Sequence, residues 1–86
     1  MTPRVVPHVT LVRESEAAVL LDKKSGKYFR LNRLGADVFD LLSAGQSPEE
    51  ITETLRKRFP EARERIPDDV LRLVEQLRAA RIVVDR

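Results

Sequence analysis

The residues of this chain best equipped for acid–base or metal chemistry are one histidine, His8, and two carboxylate pairs, Glu49-Glu50 and Asp68-Asp69. His8 has no second histidine and no cysteine with which to share a metal or build a nucleophilic dyad. It follows Pro7 near a terminus and reads as an ordinary strand-surface histidine. Each carboxylate pair falls in the first turn of a predicted helix, where acids complement the positive end of the dipole. Neither pair has an evident apolar cleft that would raise a pKa for proton transfer. The glycines Gly26, Gly35 and Gly45 are scattered and form no phosphate-cradling loop. These absences predict a binding protein with no catalytic residue, no metal and no cofactor.

Charge narrows what it binds. The formal net charge is only +2, yet Lys23, Lys24, Lys27, Arg30 and Arg33 crowd one stretch with no acid between them after Asp22. Such a basic rim is either a solvated turn kept soluble by its lysines or a surface for phosphate or an acidic peptide. DNA is disfavoured by the last predicted helix, which opens with Asp68 and Asp69 and carries Glu75 where a groove-reading helix needs cations and amides. Arg56, Lys57 and Arg58 keep a small winged-helix DNA-binding regulator as the alternative.

The elements that position these residues follow from spacing. Two apolar-rich runs, 17–21 and 27–31, flank Asp22-Lys23-Lys24-Ser25-Gly26, and Gly26 supplies the positive φ that such a hairpin turn needs. Alternation turns Phe29 and Leu31 inward and leaves Tyr28 and Arg30 outside. Asn32 stops the strand and caps a helix starting near Arg33. That helix aligns Leu34, Val38, Leu41 and Leu42, with Phe39 on the flank, and Gly45 closes it. Ser47-Pro48-Glu49-Glu50 combines an N-cap, an N1 proline and a capping box. The second helix buries Ile51, Leu55 and Phe59 and stops at Pro60. Pro67-Asp68-Asp69 opens a third helix through Val70, Leu71, Leu73, Val74, Leu77 and Ala80, followed by a β-favouring tail at Ile82-Val83-Val84.

At the front, residues 5–13 contain alternating Val9 and Leu11 and suit a strand that pairs with the hairpin. The prediction is an α+β, winged-helix-like domain: a three-stranded antiparallel sheet followed by three helices. With 86 residues, no repeat and no Gly/Ser linker, 1–86 reads as a single domain with one modest core. Its stability should be about 5 kcal/mol. No apolar run approaches the roughly 20 residues that span a bilayer, and the N-terminus lacks a signal-peptide core. The expectation is a cytoplasmic protein with no membrane partner.

Taken together, several non-trivial positions resemble a known family. Asp22, a Gly-containing turn, Tyr28-Phe29-Arg30-Leu31-Asn32, Gly35-Ala36, Leu41-Leu42, Gly45, Ser47-Pro48-Glu49-Glu50-Ile51 and the closing run from Asp69-Val70 to Ile82-Val83 resemble the PqqD-like proteins. These are the recognition elements for ribosomally made, post-translationally modified peptides. Within them, the run from Leu20-Leu21-Asp22 to Asn32, followed by Gly35, looks most like the free-standing leader-binding proteins of lasso-peptide clusters. The Pro-Glu-Gly-like turn usual in the pyrroloquinoline quinone partner is missing here. The resemblance implies a non-catalytic adaptor that grips the leader of a precursor peptide. It would hand that precursor to a cysteine-protease-like leader peptidase, after which an ATP-dependent cyclase closes the ring. An adaptor of another modified-peptide pathway is the alternative within the family.

How such a protein would grip a peptide follows from sheet physics. An open sheet edge carries unpaired N–H and C=O groups that an extended peptide can satisfy as an added strand. Main-chain pairing carries little sequence information, so selectivity needs side chains beside the strand. The candidate binding residues are Lys27, Tyr28, Phe29, Arg30 and Leu31 on the strand, with Val70, Leu73, Val74 and Leu77 on the third helix. That helix has an apolar arc wider than one small sheet face requires. Its surplus is left either for a partner or for the tail and the first strand.

Overall fold

A computed structural model describes residues 3–85. The order is β1 (Pro3–Val5), β2 (Val9–Arg13), β3 (Ala17–Asp22), β4 (Tyr28–Asn32), α1 (Arg33–Ser43), α2 (Pro48–Arg58), a 3-10 turn (Pro60–Ala62), α3 (Ile66–Ala79) and β5 (Val83–Asp85). The α+β class, the three-stranded antiparallel sheet and the three helices are as predicted. The sheet runs β2-β3-β4 with β3 in the middle.

Local chemistry accounts for the hairpin. Asp22 Oδ1 accepts from the N–H of Lys24 at 3.0 Å and of Ser25 at 3.3 Å. The Gly26 N–H then donates to the Asp22 carbonyl at 2.7 Å, with Gly26 at φ +76°. This satisfies the turn's own backbone and fixes the register that sets Leu20 opposite Phe29 and Ala18 opposite Leu31. Side chains of Ala18, Leu20 and Leu31 consequently enter the core, while Tyr28 and Arg30 stay outside.

Two of the three predicted helix starts carry the expected side-chain cap, and α3 has none. Asn32 Oδ1 accepts from Gly35 N–H at 2.8 Å. At Ser47, the hydroxyl accepts from Glu50 N–H at 3.2 Å while the Glu50 carboxylate accepts from Ser47 N–H at 2.9 Å. Gly45, at φ +94°, follows the C-cap of α1. On α1 the buried stripe is Gly35, Ala36, Val38, Phe39 and Leu42, with Leu34 and Leu41 only half-buried. Phe39 is thus central rather than flanking, because α1 faces β1 as well as β3 and β4.

Two short strands lie beyond the predicted sheet. Residues 5–13 do not form one strand: Pro7, which has no N–H, sits in a turn between β1 and β2. β1 instead pairs antiparallel with β5, Val5 opposite Val83, and Val6 N–H donates to the Ile82 carbonyl at 2.9 Å. The β-favouring tail is therefore a structural clasp. Ile82 and Val83 are buried with Ile51, Leu55, Ile66, Val70, Val74 and Leu77 in one core. The third helix begins one residue earlier than Pro67, since Ile66 is itself buried and Pro67 fits the first turn.

Candidate functional site

The ladder pattern identifies the free edge of β4. Asp22 N–H donates to the Lys27 carbonyl at 2.9 Å, so Asp22 and Lys27 form a hydrogen-bonded pair. Alternation along an antiparallel ladder gives Phe29 and Leu31 the same role toward Leu20 and Ala18. The other ladder agrees, because Glu14 N–H donates to the Ala17 carbonyl at 2.8 Å, which assigns Val19 and Leu21 to β2. The N–H and C=O groups of Tyr28 and Arg30 accordingly point away from the sheet. Among the described residues no strand pairs with them.

Alongside this edge runs α3, in the opposite direction. A cavity of about 250 Å³ lies between Arg30, Leu31, Leu34, Gly35 and Val38 on one side and Asp69, Arg72, Leu73 and Gln76 on the other. A second, of about 620 Å³, joins Lys24, Lys27 and Phe29 to Ala79, Ala80 and Arg81. The first lies between the β4–α1 side and α3; the second continues from it past the start of β4, between the hairpin turn with His8 and the C-terminal end of α3, so that the two succeed one another as a groove. On α3, positions 69, 72, 73, 76 and 80 recur at helical spacing, a stripe rotated by one position from the buried stripe at 70, 74 and 77. Gly35 lets α1 close against the end of β4 on the opposite wall, since a β-carbon there would lie 3.3 Å from both Asn32 Oδ1 and Leu31 Cβ.

The structure brings four strand candidates, Lys27, Phe29, Arg30 and Leu31, together with one helix candidate, Leu73, but leaves Tyr28 apart. Tyr28, 68% exposed, stands on the outer sheet face, while Arg30, Leu31 and Leu73 line the first cavity and Lys27 and Phe29 the second. Val70 and Val74, each 1% exposed, and Leu77, 3% exposed, belong to the core and offer a ligand no surface. The surplus of the apolar arc is consumed by Ile82, Val83 and the other helices. Asp69, Arg72, Gln76 and the residues 79–81 form the rest of the groove. Hydrophobicity alone passes over them, because it marks the stripe facing the core; the register one position away was the available signal.

Electrostatics differ along the groove. At its Lys27 end stand Lys24, Lys27 and Arg81, with Asp22 as the only carboxylate. Partial desolvation pushes the Asp22 carboxyl up, but hydrogen bonds from Lys24 and Ser25 and the neighbouring His8 outweigh this and hold it below the ordinary range. His8 Nε2 lies 3.6 Å from Asp22 Oδ1. At the other end Arg72 and Asp69 face each other at 4.0 Å. No group of three His, Cys, Asp or Glu side chains that could hold a metal occurs among the described residues.

A family model described as coenzyme PQQ synthesis protein D (PqqD) matches residues 17–83, from the start of β3 into β5. The chain belongs to the PqqD family. Two solved structures share this PqqD-family fold. TbiB1 in complex with the TbiA(beta) leader peptide superposes with a TM-score of 0.82 at 23% identity, over 96% of each chain. A lasso peptide synthetase B1 complexed with the leader peptide superposes with a TM-score of 0.81 at 26% identity, over 99% of this chain and 100% of that one. No curated protein sequence matches the chain. No helix among the described residues is long and apolar enough to cross a membrane.

Proposed function

We propose that this protein is a single-domain, non-catalytic adaptor that binds the leader of a ribosomal precursor peptide as an added strand on β4. The observation that carries this reading is the outward-directed N–H and C=O of Tyr28 and Arg30 beside a groove walled by α3. A peptide paired there directs alternate side chains into the groove, against Leu31, Leu34 and Leu73. The lasso peptide synthetase B1 of the same fold, 26% identical over nearly all of both chains, was solved with a leader bound.

Burial of one or two large side chains contributes roughly 1.5 to 3 kcal/mol each. With main-chain pairing this reaches a Kd of about 1 μM or tighter. Once loaded, the adaptor delivers the precursor in the cytoplasm to a cysteine-protease-like leader peptidase and then to an ATP-dependent cyclase. Asp68 and Asp69 in the first turn of α3 argue against a DNA-reading role for that helix.

Calorimetric titration with a synthetic leader peptide of a lasso-peptide precursor tests the proposal. Saturable binding at about micromolar Kd or tighter, with no cleavage of the precursor by the purified chain, is expected. Turnover of the precursor, or tighter binding to a DNA duplex than to the leader, overturns it.

A further inference from the structure

The end of α3 closes in an unusual way. Ile82 N–H donates to the Leu77 carbonyl at 2.9 Å and Arg81 N–H to the Arg78 carbonyl at 3.0 Å. This is the Schellman arrangement, which puts the residue after the C-cap in the left-handed region, where a side chain crowds its own backbone and glycine is preferred. Here that residue is Arg81, at φ +61°, the one non-glycine with positive φ among the described residues. The chain follows the usual preference elsewhere: Gly45 ends α1 at φ +94° and Gly26 closes the hairpin at φ +76°. Nor does packing require an arginine, since Arg81 is exposed and joins no ion pair among the described residues.

What the side chain does contribute is charge at the end of the groove. Arg81 lines the same cavity as Lys24, Lys27 and Phe29. The single carboxylate there, Asp22, is already engaged by the backbone N–H groups of Lys24 and Ser25. Three cations thus line a cavity whose single carboxylate is occupied and has His8 beside it at 3.6 Å, at the mouth where an added strand would pass Lys27.

We infer that Arg81, with Lys24 and Lys27, is a specificity clamp for an aspartate or glutamate side chain of the bound peptide. The inference rests on the reading of the β4–α3 groove as a peptide site and adds the class of residue that its Lys27 end selects. An arginine fork takes a carboxylate through two parallel hydrogen bonds, which a lysine cannot reproduce. Backbone strain at a ligand-facing residue is the expected mark of a position kept for binding rather than for stability.

The test uses the full chain, a synthetic lasso-precursor leader that carries Asp and Glu residues, and the same leader with those residues changed to Asn and Gln. Arg81→Gly should raise Tm by about 4 °C and weaken the acidic leader about fivefold, while the amidated leader binds wild type and variant alike. Arg81→Lys should keep part of the affinity and none of the gain in Tm. A fall in Tm for Arg81→Gly would make the arginine structural and overturn the inference. Equal loss of both leaders, or tight binding of the acidic and amidated leaders alike by wild type, overturns it too. So does a short DNA duplex whose binding depends on Arg81 and displaces the leader. If wild type binds neither leader, the groove assignment itself fails; if it binds both equally with Tyr28 and Arg30 amides protected, only the clamp fails.

Discussion

The two edges of the three-stranded sheet offer the same backbone chemistry in different settings. On β2, the alternation that frees Tyr28 and Arg30 on β4 frees Val9, Leu11 and Arg13. Beside β2, however, Arg13 reaches α1 to pair with Asp37 and Asp40, and the neighbouring depression is lined by Arg13, Glu14, Ser15, Glu16 and Arg33 with only Ala17 and Ala36 as apolar residues. Beside β4 the groove adds Phe29, Leu31, Leu34, Val38 and Leu73 to its polar residues. Open backbone groups are common to any sheet edge; apolar walls that accept alternate side chains are what convert an edge into a recognition surface. Lys27 and Arg30 also discourage β4 from pairing with another copy of itself while leaving it open to an acidic strand.

The largest effect that could break this contrast is amide protection. With leader at 100 times its Kd, exchange at Tyr28 and Arg30 should slow by about 100-fold, while Val9, Leu11 and Arg13 amides keep their rates. Protection on β2 instead would move the site to the other edge. Next in size is the separation of the two stripes of α3. Val74→Ala should cost about 2 kcal/mol and lower Tm by about 10 °C, with leader Kd unchanged for the folded fraction. Leu73→Ala should weaken the leader about tenfold with a smaller loss of Tm, both read by calorimetry. The opposite pattern would put the core stripe in contact with peptide.

Smaller effects sharpen the comparison from the β2 side. Arg13→Ala removes the exposed ion pairs to Asp37 and Asp40, so it should leave Tm nearly unchanged and leader Kd unchanged. A loss of binding would tie the β2 edge to the site. Finally, Asp22 gives the β3–β4 hairpin an acid sensitivity. Its folded pKa is below the ordinary 3.8, so its stabilisation is complete above that value and is lost as pH falls through the folded pKa. The Tm difference between wild type and Asp22→Asn should be present at neutral pH and vanish in strong acid. A difference that grows on acidification would reverse the sign of the linkage.

Local chemistry made much of this molecule legible in its sequence. Gly26, Asn32, Gly45 and the Ser47–Glu50 box act within a few residues of themselves, so the hairpin, both capped helices and the inward set Phe29 and Leu31 could be read directly. The β4 edge followed as a candidate because strand alternation is local too. What the sequence could not decide was every pairing between distant segments. The clasp of β1 with β5 joins the two ends of the described chain, and it is this contact, with Ile82 and Val83 buried, that uses up the apolar arc of Val70, Val74 and Leu77. The angle at which α3 docks then turns Asp69, Arg72, Leu73 and Gln76 toward β4. Helical periodicity defines which residues share a stripe; only long-range packing chooses which stripe meets the core and which is left to line the groove.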